Sequence, residues 1–311
     1  MSNVTKAAKL MKLIEDSVAA DGGAAYRTTL GKVLPHIGDA YRGEDGGFRS
    51  HLGASVIGGE CPRAIWYGFR WTTKPKFSGR ILRLFNRGHL EEGRIIALLL
   101  SCGIQIFQQD GQGNQFRISD CGGHFGGSGD GVAVGVPDLP PGTPAVTEYK
   151  THNDKSFQKV KSEGVRIAKF EHFVQMQIYM RKMGIPVSLY VAVNKNDDEI
   201  YAEIVHLFSP IADEMIERGR KIIFMQKAPE KISKSPGWFA CKFCDHHSVC
   251  HLGTAPEKNC RTCKYVEPAE DGSWLCKLPL EMDSSPLNGI GHVRTKEEQA
   301  TGCHNYERFV P

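Results

Sequence analysis

"GGSGDGVAVGVPDLPPGTPAVTEYKTH", residues 126 to 152, carries the pattern on which the fold turns. Asp130 stands in a tight glycine turn that feeds a β-branched run, and eighteen residues later Glu148 and Lys150 stand two apart in another. A strand alternates its side chains with period two, so Glu148 and Lys150 share one face and Tyr149 takes the other. Carboxylates converging from neighbouring strands make a hard-oxygen site suited to Mg2+ or Mn2+. A lysine beside them is able to orient or deprotonate an attacking water. Alone, an E-x-K triplet is no more than the charge alternation of a surface strand, so its meaning depends on the rest of the chain.

Working outward, short runs rich in β-branched and aromatic residues recur at 104–108 ("IQIFQ"), 132–136 ("VAVGV"), 145–150 ("AVTEYK"), 187–193 ("VSLYVAV") and 200–208 ("IYAEIVHLF"). Each predicts a strand. Helical periodicity predicts helices over residues 5–20, from about Leu84 to Leu100, from about Glu171 to Lys182, and from Ser209-Pro210 to about Lys227, where a cap and a proline at the first turn mark the start. Strand, strand, helix, strand, strand implies an α/β core rather than a bundle. Seven of the ten cysteines fall in the last 71 residues, among turn formers with little periodicity, which predicts a small metal-organised lobe there. The expected division is a helical segment over 1–50, a core over 51–237 and a Cys-rich lobe over 238–311.

Two more pieces flank the acidic pattern. "FNRGHLEEGRI" puts His89 and Glu92 one turn apart on a helix leading into the first strand of the core, so that either could reach the same metal. "HFVQMQIYMRKMG" puts Gln175 and Tyr179 at i and i+4 on the helix that follows the E-x-K strand. The ordered set G-x-H, G-x-x-D-G, E-x-K and Q-x-x-x-Y resembles the motif series of the PD-(D/E)XK nuclease superfamily, in particular its RecB-like branch, over roughly residues 50 to 210. The resemblance implies a restriction-endonuclease-like core, a mixed central sheet flanked by helices, and divalent-metal-dependent cleavage of DNA. It implies metal at Asp130, Glu148 and His89, with Glu92 as the alternative to His89. Lys150 is then the water-activating residue, and Gln175 and Tyr179 support the active site and the DNA.

"CKFCDHHSVC", residues 241 to 250, holds Cys241, Cys244 and Cys250 as C-x2-C-x5-C, one ligand short of a closed tetrahedral site. His246, His247 and His251 are local candidates and would make zinc. Cys61, in "GGECPRAIWYGF", is a distant one. One cysteine before the core and three after it resembles the [4Fe–4S] staple of the AddAB nuclease and the CRISPR-adaptation nuclease. That resemblance implies a structural iron–sulfur cluster on four thiolates, tying together the two ends of the nuclease domain. Cys260, Cys263, Cys276 and Cys303 read as a separate zinc site of four thiolates, with His292 or His304 able to replace one ligand. Cys102 and Cys121 read as buried apolar residues.

At 311 residues, 41% hydrophobic and 24% charged, the composition is that of an ordinary globular chain, and no run approaches the ~18 apolar residues of a spanning helix. No export signal is visible, which predicts a soluble, cytoplasmic protein of a bacterium or a phage-infected cell. The net charge is only +4, but Pro62 to Arg87 contains seven basic residues and no acidic one. Aromatic side chains are interleaved, so the stretch suits a groove that tracks a nucleic-acid strand. Arg63, Trp66, Tyr67, Arg70, Arg83 and Arg87 are the expected DNA contacts. The expected function is a metal-dependent DNA exonuclease of recombination, repair or replication, resembling the free-standing exonucleases of bacteriophages. It would work on single strands or duplex ends, with or without a single-strand-binding or recombination partner protein. The alternatives are a non-catalytic nucleic-acid-binding protein with structural metal sites, and a structure-specific endonuclease.

Overall fold

The computed structural model describes residues 3–38, 48–278, 292–293 (backbone) and 295–309. The chain separates into two compact units, each assembled from discontinuous stretches: 1–43, 77–118 and 128–215 in the first, 44–76, 119–127 and 216–311 in the second. This division differs from three contiguous segments, because the basic–aromatic stretch as far as Lys76 belongs to the same unit as the Cys-rich tail, and its remainder to the other.

The first unit is built on a six-stranded sheet. In chain order its elements are β1 (Val4–Lys6), α1 (Ala8–Asp21), α2 (Ala24–Val33), α3 (Gly79–Ser101), β2 (Gln105–Phe107), β3 (Val132–Val134), β4 (Ala145–His152), α4 (Asp154–Glu163), α5 (Val165–Ala168), α6 (Phe170–Met183), β5 (Val187–Asn194) and β6 (Ile200–His206). The strands lie in the order β1-β6-β5-β4-β3-β2, with β4 and β5 parallel and the other neighbours antiparallel. It is therefore a mixed sheet with helices against it, as the strand and helix pattern predicts. The N-terminal segment adds more than a helix, since β1 extends the sheet at its edge.

Tyr149, Leu189, Val191, Ala202 and Ile204 pack with Leu10 and Ile14 of α1 and Ile95, Ile96 and Leu99 of α3 into the main core. Period two then leaves Glu148 and Lys150 on the opposite face of β4. Ser78 caps α3 by accepting from the Ile81 N–H at 3.4 Å. No helix among the described residues is long and apolar enough to cross a membrane.

The second unit holds the helix Pro62–Phe69, the helix starting at Ser209 (Ser209–Phe224) in part, and an antiparallel three-stranded sheet of Val266–Pro268, Trp274–Cys276 and His292–Val293. Here the expected DNA contacts need correction. Arg63, Trp66, Tyr67 and Arg70 are 8%, 1%, 0% and 3% exposed. Arg70 donates to the carbonyls of Val266 (2.9 Å), Met225 (3.3 Å) and Arg261 (3.4 Å) and lies over the rings of Trp66 and Trp274. Arg63 is bonded to the Tyr67 hydroxyl (3.1 Å) and the Pro229 carbonyl (2.8 Å). Side chains so enclosed neither neutralise phosphates nor stack on bases. This half of the stretch is a cation–aromatic core.

Candidate active site

The glycine turn dictates where Asp130 stands. Gly131 has φ +148°, and a Cβ there would come 2.7 Å from the Phe107 carbonyl oxygen, so the turn into β3 requires glycine. Asp130 Oδ2 accepts the Tyr149 N–H at 3.0 Å, and Thr147 N–H bonds to the Gly131 carbonyl at 2.9 Å. These bonds tie the turn to β4 beside Glu148. Glu148 is 1% exposed; its Oε2 accepts from Gln175 Nε2 at 3.0 Å and its Oε1 is ion-paired with Lys150 Nζ. Beyond that ion pair, Oε1 has no hydrogen-bond donor among the described residues. One turn after Gln175, the buried Tyr179 donates its hydroxyl to the Ser128 carbonyl at 2.7 Å. One face of α6 thus holds both the carboxylate and the loop leading to Asp130.

Burial pushes the Glu148 carboxyl up to about 7, with Lys150 opposing the rise and Asp130 adding to it. Glu92 on α3 is also pushed up to about 7, by burial, then by Asp130 and Glu148 against the pull of Lys150. Burial draws the Lys150 ammonium down, but Glu148, Asp130 and Glu92 outweigh it and hold the group above its usual range. Glu92 is therefore electrostatically part of the cluster, whereas His89, three residues earlier, is exposed. Three carboxylates and no soft donor fit a hard divalent ion, which would relieve the repulsion among them. Among the described residues, no three His, Cys, Asp or Glu side chains already stand together as a ready metal site.

Sequence reasoning missed three neighbours. In the parallel register Tyr190 is paired with Glu148. The Tyr190 hydroxyl meets His152 Nε2 at 2.8 Å and His172 Nδ1 at 3.2 Å. His152 was within reach of the period-two argument, since 148, 150 and 152 share a strand face; His172 and Tyr190 carried no local signal.

In the second unit the four cysteines of the first set line one cavity of about 50 Å³, together with Arg63, Lys231, His247 and His251. Cys61 caps the helix Pro62–Phe69, its sulfur accepting the Ala64 N–H at 3.4 Å. His246 is turned away from the cavity lining, to Thr73 Oγ1 at 3.1 Å. Burial pushes the Cys241 and Cys244 thiols up, and Cys61 and Cys250 push them further. Cys260, Cys263, Cys276 and Cys303 line a second, smaller cavity. His304 is not in that lining, and the side chain of His292 lies outside the described residues. None of the ten cysteines forms a disulfide among the described residues. Cys121 is buried and Cys102 half-buried.

Fold and site define a mixed α/β protein with an acid–lysine cluster on the parallel strand pair of its sheet. No protein-family model and no curated protein matches the chain. Among solved structures it is similar to SSO0001 at 15% identity and TM-score 0.39, over 73% of this chain and 94% of that one. It is also similar to the alkaline exonuclease LHK-Exo of Laribacter hongkongensis, at 16% identity and TM-score 0.40, over 56% of this chain and 86% of that one. The same exonuclease in complex with dAMP gives 15% and 0.39 over the same shares. Overlap at this level carries no functional weight.

Proposed function

We propose that the chain is a divalent-metal-dependent deoxyribonuclease of PD-(D/E)XK type, acting as an exonuclease on single strands or duplex ends. The observation that carries the reading is the convergence on Glu148: Lys150 ion-paired to one oxygen, Gln175 bonded to the other, and Asp130 bonded to the next residue's backbone. Scattered motif residues gain a common purpose only if that carboxylate must be aimed.

Asp130, Glu148 and Glu92 would hold the ion, with His89 the alternative to Glu92. Bound there, Mg2+ or Mn2+ would polarise the scissile phosphate and make water acidic enough to attack it. Lys150 Nζ is held beside Glu148 as an ammonium, where it can orient the attacking water and stabilise the negative charge that develops on it. Gln175 fixes the rotamer of Glu148, and Tyr179 fixes the loop before Asp130. Exposed Arg80, Arg83 and Arg87 follow i, i+3, i+7 spacing along one side of α3, and Phe77 and Phe85 pack edge-to-face nearby, 48% and 41% exposed. This half of the basic stretch keeps the strand-tracking role. The cavity lined by Cys61, Cys241, Cys244 and Cys250 has the thiol set of a structural [4Fe–4S] cluster, which would clasp the second unit.

The test is cleavage of labelled single- and double-stranded DNA with Mg2+ or Mn2+ by the wild type, Glu148→Gln and Lys150→Ala. Loss of cleavage in both variants with DNA binding retained supports the site; equal rates in all three overturn it.

A further inference from the structure

The structure brings together a second set of thiols that the nuclease reading does not use. Cys260 and Cys263 lie in a C-x2-C turn closed at both ends by side-chain caps: Asn259 Oδ1 accepts the Thr262 N–H at 3.1 Å, and Thr262 Oγ1 pairs with the Asn259 N–H at 3.3 Å. Cys276 ends the strand Trp274–Cys276 and is paired in register with Val266, three residues past Cys263. Cys303 follows the helix Lys296–Thr301, whose Glu298 carbonyl meets Cys260 Sγ at 3.3 Å. Arg308 then bridges back to Cys263, and the Phe309 N–H bonds to the Thr262 carbonyl at 2.9 Å. Three chain segments so converge on one cavity lined by all four cysteines, whose side chains would have to draw closer to hold an ion.

We infer that Cys260, Cys263, Cys276 and Cys303 form a structural zinc site, independent of the nuclease centre and of the Cys61 set. The cavity is the smaller of the two, about 10 Å³ against about 50 Å³ at Cys61, which favours a single ion over a cluster here. A C-x2-C turn, a hairpin sulfur and a distant fourth thiol make the usual closed tetrahedral set, which needs nothing beyond the ion. The ion has a purpose in the surrounding packing. Arg261, between the two turn cysteines, is 2% exposed, and its guanidinium lies 3.8 Å from the Trp71 ring centroid and 4.4 Å from that of Trp274. It donates to the carbonyls of Phe69 (3.1 Å) and Ser50 (2.8 Å) and to Gln299 Oε1 (2.9 Å). A buried cation whose partners among the described residues are carbonyls and an amide depends on a backbone that cannot relax. Fixing the turn at both cysteines supplies that rigidity, and through Phe69 it supports the helix that Cys61 caps.

The test is elemental analysis of the full chain, purified anaerobically, as wild type, Cys303→Ser and Cys61→Ser. The expected result is about one zinc per chain in the wild type and in Cys61→Ser, and none in Cys303→Ser. Should Cys303→Ser fail to fold, the double variant Cys241→Ser/Cys244→Ser is decisive, because the zinc or cobalt it keeps cannot sit in the Cys61 cavity. Replacing its zinc with Co2+ should give the intense visible bands of a tetrahedral thiolate site. Zinc absent from the wild type, zinc that survives Cys303→Ser, or cobalt without those bands would each overturn the assignment. None of these readouts depends on nuclease activity or on iron.

Discussion

Glu148 is almost wholly enclosed, yet two side chains from different elements hold its oxygens. If that carboxylate works in catalysis, Glu148→Gln and Lys150→Ala should each lower cleavage by at least about 100-fold. Gln175 acts only through Glu148, so Gln175→Ala should lower kcat by about 10- to 100-fold with DNA affinity unchanged. Single-turnover rates beside binding isotherms separate these cases. Nearby, burial pushes His152 down to about 4 and His172 down to about 3. Their unfolded value is about 6.5, so as pH falls the unfolded chain takes up protons first. Stability is full above that value and declines as pH falls from it toward the folded values, by roughly 2 kcal/mol per histidine at pH 5. His172→Gln should flatten the difference between urea midpoints at pH 7 and pH 5; an unchanged difference would show that His172 is not held neutral. Glu148, Lys150, Gln175 and Tyr179 were legible in the sequence because strand and helix periods place them. The histidine pair was not, because the rings of His152 and His172, 5.8 Å apart, and the Tyr190 hydroxyl come from three different elements and meet only in the fold.

At the scale of elements, the turn into β3 and the basic helix α3 offer separate tests. Gly131→Ala forces a side chain into the Phe107 carbonyl and into a backbone region that L residues rarely adopt, and should destabilise the fold by about 1–3 kcal/mol. A thermal melt measures it. On α3, Arg83→Ala should weaken DNA binding at every sequence and reduce the salt slope by about 0.7 to 0.9, the amount that one neutralised phosphate contributes. Arg70→Ala should behave differently: it strands backbone carbonyls in a closed core, so roughly 3 kcal/mol of stability should go, with little change in the salt slope. The sequence shows one basic–aromatic stretch where the structure has two. Alternation of cations and aromatic rings is common to a strand-tracking groove and a cation–π core, and only burial separates them.

At the scale of the whole molecule, eight of the ten cysteines are shared between two cavities of one unit, both closed by residues far apart in sequence. Anaerobic protein should be brown and carry about four irons per chain; Cys61→Ser should lose the iron and lower Tm. A colourless wild type without iron would leave His247 and His251 to complete a zinc site in that cavity. The units themselves are interleaved along the chain, which contiguous stretches of composition do not reveal.

The sequence by itself determined five of the six strands of the main sheet, the helices α1, α3, α6 and Ser209–Phe224, and that Glu148 and Lys150 share a face; β1, α2, α4 and the second unit's small sheet were not read from it. Period and capping are properties of neighbouring residues, so they survive in a linear reading. What only the tertiary structure decided were the meetings across distance. Glu92 lies where burial, Asp130 and Glu148 push it up, Arg63 and Arg70 are inside, and Cys61 shares a cavity with the cysteines of 241–250. Burial and long-range pairing depend on how faces close on one another, and no local period records that.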